Sequence, residues 1–88
     1  MITRKITYKG NFKDTAAAEM YNITRTIEIT GEVKSNGAQE VVLNLEGDPS
    51  MIKLIQHRIE RSSLKDAIKD KTVEAIPFQY YKGPFFNA

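Results

Sequence analysis

Two alternating stretches joined by Ser35-Asn36-Gly37 constrain this chain more than any other feature of it. Ile27-Glu28-Ile29-Thr30-Gly31-Glu32-Val33-Lys34 alternates apolar and polar residues almost strictly. Val41, Leu43 and Leu45 continue the pattern, with Val42, Asn44 and Glu46 between and after them. A period of two sends successive side chains to opposite faces of a strand. Asn-Gly supplies the positive φ angles of a tight turn. The spacing predicts an antiparallel hairpin, the second and third strands of the chain.

The elements around it follow from similar signals. Residues 2–9 put Ile2, Ile6 and Tyr8 on one face, broken by Arg4, and Thr3, Lys5, Thr7 and Lys9 on the other. This reads as a half-buried first strand. Asp14 or Thr15 then caps a helix to about Arg25, with Ala16, Met20 and Ile23 on its buried face. Asp48 and Pro49 suit the N-cap and first position of a second helix, whose stripe is Ile52, Ile55 and Ile59. Residues 64–71 read as a charged connection, and residues 72–76 as a fourth strand stopped at Pro77.

The order is therefore β-α-β-β-α-β. Each helix has one apolar face, so both should cover the same side of a four-stranded antiparallel sheet. The expected class is α+β, the ferredoxin-like split βαβ arrangement. Eighty-eight residues make one such domain, 1–88. It ends in an aromatic segment, 78–88, that holds five of the eight aromatic residues. Packing against the sheet or core is the plainer use of those rings; a partner surface is the other.

Composition excludes several function classes. No apolar run approaches the roughly 20 residues of a membrane span, so no membrane partner is expected, and a cytoplasmic location is. Without cysteine there is no disulfide framework or thiolate metal site. No acids or histidines have metal-ligand spacing, so neither metal nor cofactor is expected. The net charge of +2 names no partner, but Arg4, Lys5, Lys9 and Lys13 all precede the first acid, Asp14. That basic run reads either as an edge protected by lysines or as an attraction for anions. The junction Tyr8–Ala17 is the place for such an anion, since a loop and a helix start offer backbone N–H groups.

From Gly31 to Gly47 the chain resembles the acylphosphatases. That family typically carries Gly-Trp-Val-Arg-Asn closing its second strand, a tight turn, a Val-x-Val strand and Glu-Gly before the second helix. Here Gly31-Glu32-Val33-Lys34-Ser35 leads without gaps to Val41-Val42-Leu43-Asn44-Leu45-Glu46-Gly47. Asp48-Pro49, the isoleucine stripe and Val73-x-x-Ile76 fit as well. The resemblance implies the βαββαβ fold and hydrolysis of a carboxylate–phosphate anhydride. It also implies a phosphate held by loop amides and one arginine, with an asparagine positioning the attacking water. An arginine fork and oriented amides stabilise charge in the transition state of such a reaction.

At both implied positions the chain departs from the family. The family loop Gly-x-Val-Gln-Gly-Val-x-Phe-Arg is replaced by the shorter Gly10-Asn11-Phe12-Lys13-Asp14-Thr15-Ala16-Ala17. Ala17 stands for the arginine and Ser35 for the asparagine. The interior glycines are gone, and Asp14 adds a negative charge. A lysine cannot reproduce a bidentate fork.

The expected function is thus a degenerate acylphosphatase-like protein that lacks efficient hydrolysis and retains weak binding of phosphate or acyl phosphate. Gly10, Asn11, Phe12 and Lys13 are the anion-binding candidates. An active hydrolase would have to use Lys13 and Asn36 in altered roles. His57, the single histidine, falls on the outer face of the second helix, leaving Ser35 no base. A nucleic-acid module with this element order is the third reading, but such a partner is not expected. Thr3, Lys5, Thr7, Glu28, Thr30 and Glu32 occupy the open face where RNA binders display aromatics. A monomer is expected.

Overall fold

The computed structural model describes residues 1–88. Its elements are β1 (Ile2–Gly10), α1 (Ala16–Thr24), β2 (Thr30–Ser35), β3 (Glu40–Gly47), α2 (Pro49–Glu60), β4 (Ile68–Ala75) and β5 (Phe86–Asn87). The sheet order is β4-β1-β3-β2-β5. β1 lies antiparallel between β3 and β4, with Ile6 opposite both Leu43 and Val73.

Ile6, Tyr8, Val33, Val41, Leu43 and Leu45 bury one face of the sheet against Ala16, Ala17 and Met20 of α1 and Ile52, Ile55 and Ile59 of α2. Both helices thus cover one side, as the apolar stripes require. α2 begins as its sequence predicts: Asp48 accepts from the Ser50 N–H at 2.9 Å, with Pro49 in the first turn. No helix is long and apolar enough to cross a membrane.

Three boundaries differ from the sequence reading. β2 starts at Thr30 rather than Ile27. Ile27 and Ile29 are buried, but the Ile27 N–H bonds to the Thr24 carbonyl, closing a turn after α1. β4 starts at Ile68, inside the stretch read as a connection. It is an exposed edge strand, placed by main-chain pairing of Lys9 with Asp70 and Tyr8 with Lys71. Such a strand needs no apolar alternation, so Lys69-Asp70-Lys71 gives no strand signal.

The third difference is a fifth strand. β5 pairs in parallel with β2, Glu32 opposite Phe86. The tail that reaches it divides its aromatics. Phe85 is buried and stacks on Tyr21 at 6.0 Å, whereas Tyr80 is 73% exposed. On its way the tail crosses the sheet face away from the helices. Thr3, expected on an open face, is buried there beside Glu46, which the tail amides grip, and Thr7 is buried between β3 and β4.

Candidate functional site

The β1–α1 loop is stitched down on two sides. The Gly10 N–H donates to the Gln39 carbonyl at 3.0 Å, and the Phe12 N–H to the Ala38 carbonyl at 2.8 Å. Between them, the Asn11 N–H donates to the Ala67 carbonyl at 3.0 Å. The hairpin turn thus holds one flank of the loop and the α2–β4 connection the other. Gly10 is required by that closeness, since a Cβ there would stand 1.8 Å from the Ala67 oxygen. The Phe12 ring sits in the core.

These bonds decide which donors remain for an anion. Three N–H groups of the candidate loop already have carbonyl partners. Those of Lys13, Asp14 and Thr15 have none within the chain, and neither do those of Ala17 and Ala18 at the start of α1. Thr15 caps the helix by position only, without a side-chain bond. The available donors therefore begin three residues beyond the glycine. Lys13, Asp14 and Thr15 are all exposed there, so the Asp14 carboxylate stands beside the same opening.

The hairpin end supplies the other candidates. The Asn36 amide donates to Glu40 Oε1 at 3.0 Å, and the Ser35 hydroxyl to the Gly37 carbonyl at 2.9 Å. Gly10, Asn11 and Asn36 share a polar hollow of about 480 Å³ with Lys9, Gln39, Glu40 and Lys69. Lys13 lines a different one, of about 200 Å³, with Asn11, Thr15 and Ser63. Asn11 touches both, whereas Lys13 and Asn36 share neither. Ala17 is buried in the helix–sheet core, and His57 is exposed on α2.

Lys69 and Gln39 went unnoticed in the sequence reading. Lys69 falls within the misread start of β4, and Gln39 becomes a neighbour of the loop only through the hairpin turn. Glu46 is a third omission as an individual residue. Its carboxylate accepts from the Thr3 hydroxyl at 2.6 Å and from the N–H groups of Gln79 and Tyr81 at 2.6 and 2.9 Å. It ties the tail to the sheet rather than serving a reaction. No group of three or more His, Cys, Asp or Glu side chains converges anywhere in the chain.

Comparison with known proteins places this geometry. The acylphosphatase of Bacillus subtilis superposes with a TM-score of 0.85 at 14% identity, covering 100% of this chain and 99% of that one. An acylphosphatase from Coxiella burnetii gives 0.85 at 17% identity, covering 99% and 92%. Full-length HypF in its phosphate- and nucleotide-bound form gives 0.81 at 22% identity, covering 99% of this chain but only 12% of HypF. No protein-family model matches the chain, and no curated protein matches it significantly. At these identities the likeness establishes an acylphosphatase-like, ferredoxin-like α/β fold.

Proposed function

We propose that this chain is a degenerate acylphosphatase-like protein that binds phosphate or acyl phosphate weakly and does not hydrolyse acyl phosphates efficiently. The observation that carries this reading is the internal bonding of Gly10, Asn11 and Phe12, whose N–H groups already donate to Gln39, Ala67 and Ala38. A cradle needs several amides aimed at one anion, and here three of them point at carbonyls. Ala17 adds to the argument, because its buried methyl offers no fork for the transferred group. Ser35 and Asn36 support it too, since their donors are engaged by Gly37 and Glu40.

Residual anion binding then falls to the free N–H groups of Lys13, Asp14 and Thr15, helped by the Lys13 ammonium and opposed by Asp14. Opposed charges at one opening favour millimolar affinity, about −4 kcal/mol. Benzoyl phosphate hydrolysis tests the enzymatic half. The expected rate is that of buffer alone, with an authentic acylphosphatase as positive control. Catalysis above buffer that Lys13→Ala abolishes would instead establish an active hydrolase. Titration with phosphate, followed through amide resonances, tests the binding half. Shifts are expected at residues 13–18 and not at residues 10–12.

A further inference from the structure

We infer that Asn36-Gly37 is a site of spontaneous modification, at which the asparagine deamidates and the isoaspartate product loosens the hairpin's hold on the β1–α1 loop. The chain has five asparagines, and only Asn36 precedes a glycine. Phe12, Ile23, Leu45 and Ala88 follow the other four, and their side chains crowd the main-chain nitrogen that must attack. In the reaction the Gly37 nitrogen bonds to the Asn36 carboxamide carbon and closes a succinimide ring. The carboxamide C–N bond breaks, and its nitrogen leaves as ammonia with the proton given up by Gly37. Water then opens the ring at either carbonyl, leaving aspartate or isoaspartate.

The turn leaves this step open. Asn36 and Gly37 are both exposed, and the Gly37 N–H has no partner within the chain. Gly37 lies at a φ of 76°, and a Cβ there would meet no atom within 4 Å. The peptide between the two residues can therefore turn without a clash. The Asn36 N–H bond to the Glu40 carbonyl precedes the rotating bond and can persist. Two exposed side-chain bonds do resist: Asn36 to Glu40 Oε1 at 3.0 Å and the Ser35 hydroxyl to the Gly37 carbonyl at 2.9 Å. Each slows the attack by about fivefold, which delays the reaction without blocking it.

The product matters because of what the turn holds. Ala38 and Gln39, directly after the pair, present the carbonyls that bind the Phe12 and Gly10 N–H groups at 2.8 and 3.0 Å. Isoaspartate inserts a methylene into the main chain just ahead of them and moves both carbonyls. Either product also sets a carboxylate beside Glu40, where an amide donated before. Lys9 and Lys69 line the same hollow and offset that charge. The added methylene, rather than the carboxylate, therefore does the loosening.

Incubation of the intact chain in mildly alkaline buffer, followed by tryptic mass spectrometry, tests the site. Cleavage after Lys34 and Lys53 isolates Asn36, and fragmentation locates a gain of about one dalton. Asn36 should convert at least about tenfold faster than Asn11, Asn22, Asn44 or Asn87, and faster as pH rises, because the Gly37 nitrogen attacks without its proton. Its rate should fall no more than about thirtyfold below that of the isolated peptide 33–41. Asn36→Gln, which would need a larger and slower-closing ring, should stay unconverted. In the isoaspartate species the Gly10 and Phe12 amides should exchange with solvent about tenfold faster. Asn36→Asp, which has the charge without the methylene, should leave those rates within about twofold. Conversion of Asn36 no faster than that of the other asparagines, or independent of pH, would overturn the site. Unchanged exchange at Gly10 and Phe12 in the isoaspartate species would overturn the coupling to the loop, as would equal exchange in Asn36→Asp.

Discussion

Of the four polar side chains buried in the fold, Thr3, Thr7, Thr24 and Glu46, only Glu46 ionises. A charge out of water is costly unless every lone pair finds a donor. Here Thr3 and the tail amides of Gln79 and Tyr81 provide them, and Tyr80 adopts a positive φ of 59° as the backbone curls around the carboxylate. Burial by itself would raise the Glu46 carboxyl, but these bonds outweigh it and hold the group below its ordinary value. Glu46→Gln keeps the shape and turns one acceptor into a donor facing an N–H. We expect a loss of about 2 kcal/mol in urea unfolding. The pH dependence follows from the same bonds. In the acid range the unfolded chain binds the proton more readily than the fold does. The contribution of Glu46 is complete above the unfolded carboxyl value, about 4.3, and is lost as pH falls through the lower folded value. Urea midpoints should drop with acid in the native chain and drop less in Glu46→Gln.

Among the elements, Glu60 at the end of α2 acts as a junction. It accepts from the Tyr8 hydroxyl of β1 at 2.9 Å and from the Lys71 ammonium of β4 at 3.0 Å. One carboxylate thereby fixes a helix over two strands. Tyr8→Phe removes the hydroxyl and keeps the ring in the core. The expected cost is about 1 kcal/mol, read from the urea midpoint near neutral pH. The same region marks where sequence reading succeeds and where it stops. The β2–β3 hairpin and α2 are legible because their residues obey a period: Val33, Val41, Leu43 and Leu45 alternate, and Ile52, Ile55 and Ile59 form a stripe. β4 is legible only from Thr72 onward; its first half is not, because an edge strand is held by backbone pairing and its side chains face water. After Ile68, that half reads Lys69-Asp70-Lys71, with no apolar alternation. The candidate site divides similarly. Ala17 and Ser35 can be read against a family pattern, but the capture of the Gly10–Phe12 amides depends on carbonyls at 38, 39 and 67. Nothing local in the loop announces those partners.

At the scale of the whole molecule, the tail closes the fold on two sides. Phe85 enters the helix side and stacks on Tyr21, while Tyr81 crosses the other face and donates its hydroxyl to Glu32 at 2.9 Å. Phe85→Ala should cost about 3 kcal/mol or more, seen as a lower melting temperature and faster amide exchange at residues 86–88. Alkali should reach the same closure by another route. Burial, then the bond to Glu32 and its charge, push the Tyr81 phenol up to about 12. Burial, then the bond to Glu60 and its charge, raise the Tyr8 phenol as well. A raised phenol means that the fold holds its proton more tightly than the unfolded chain does. That stability is therefore complete below the ordinary tyrosine value of about 10 and is lost as pH rises through the folded values. Unfolding followed by circular dichroism should set in above about pH 10, and tyrosinate absorbance from Tyr8 should grow in step with it. Tyr8→Phe should reduce the alkaline fall, leaving the part that Tyr81 carries, and should leave the acid fall unchanged, because the acid side belongs to Glu46 and Asp48. Ionisation of Tyr8 while the helices remain intact would mean that its hydroxyl is not held between β1 and α2.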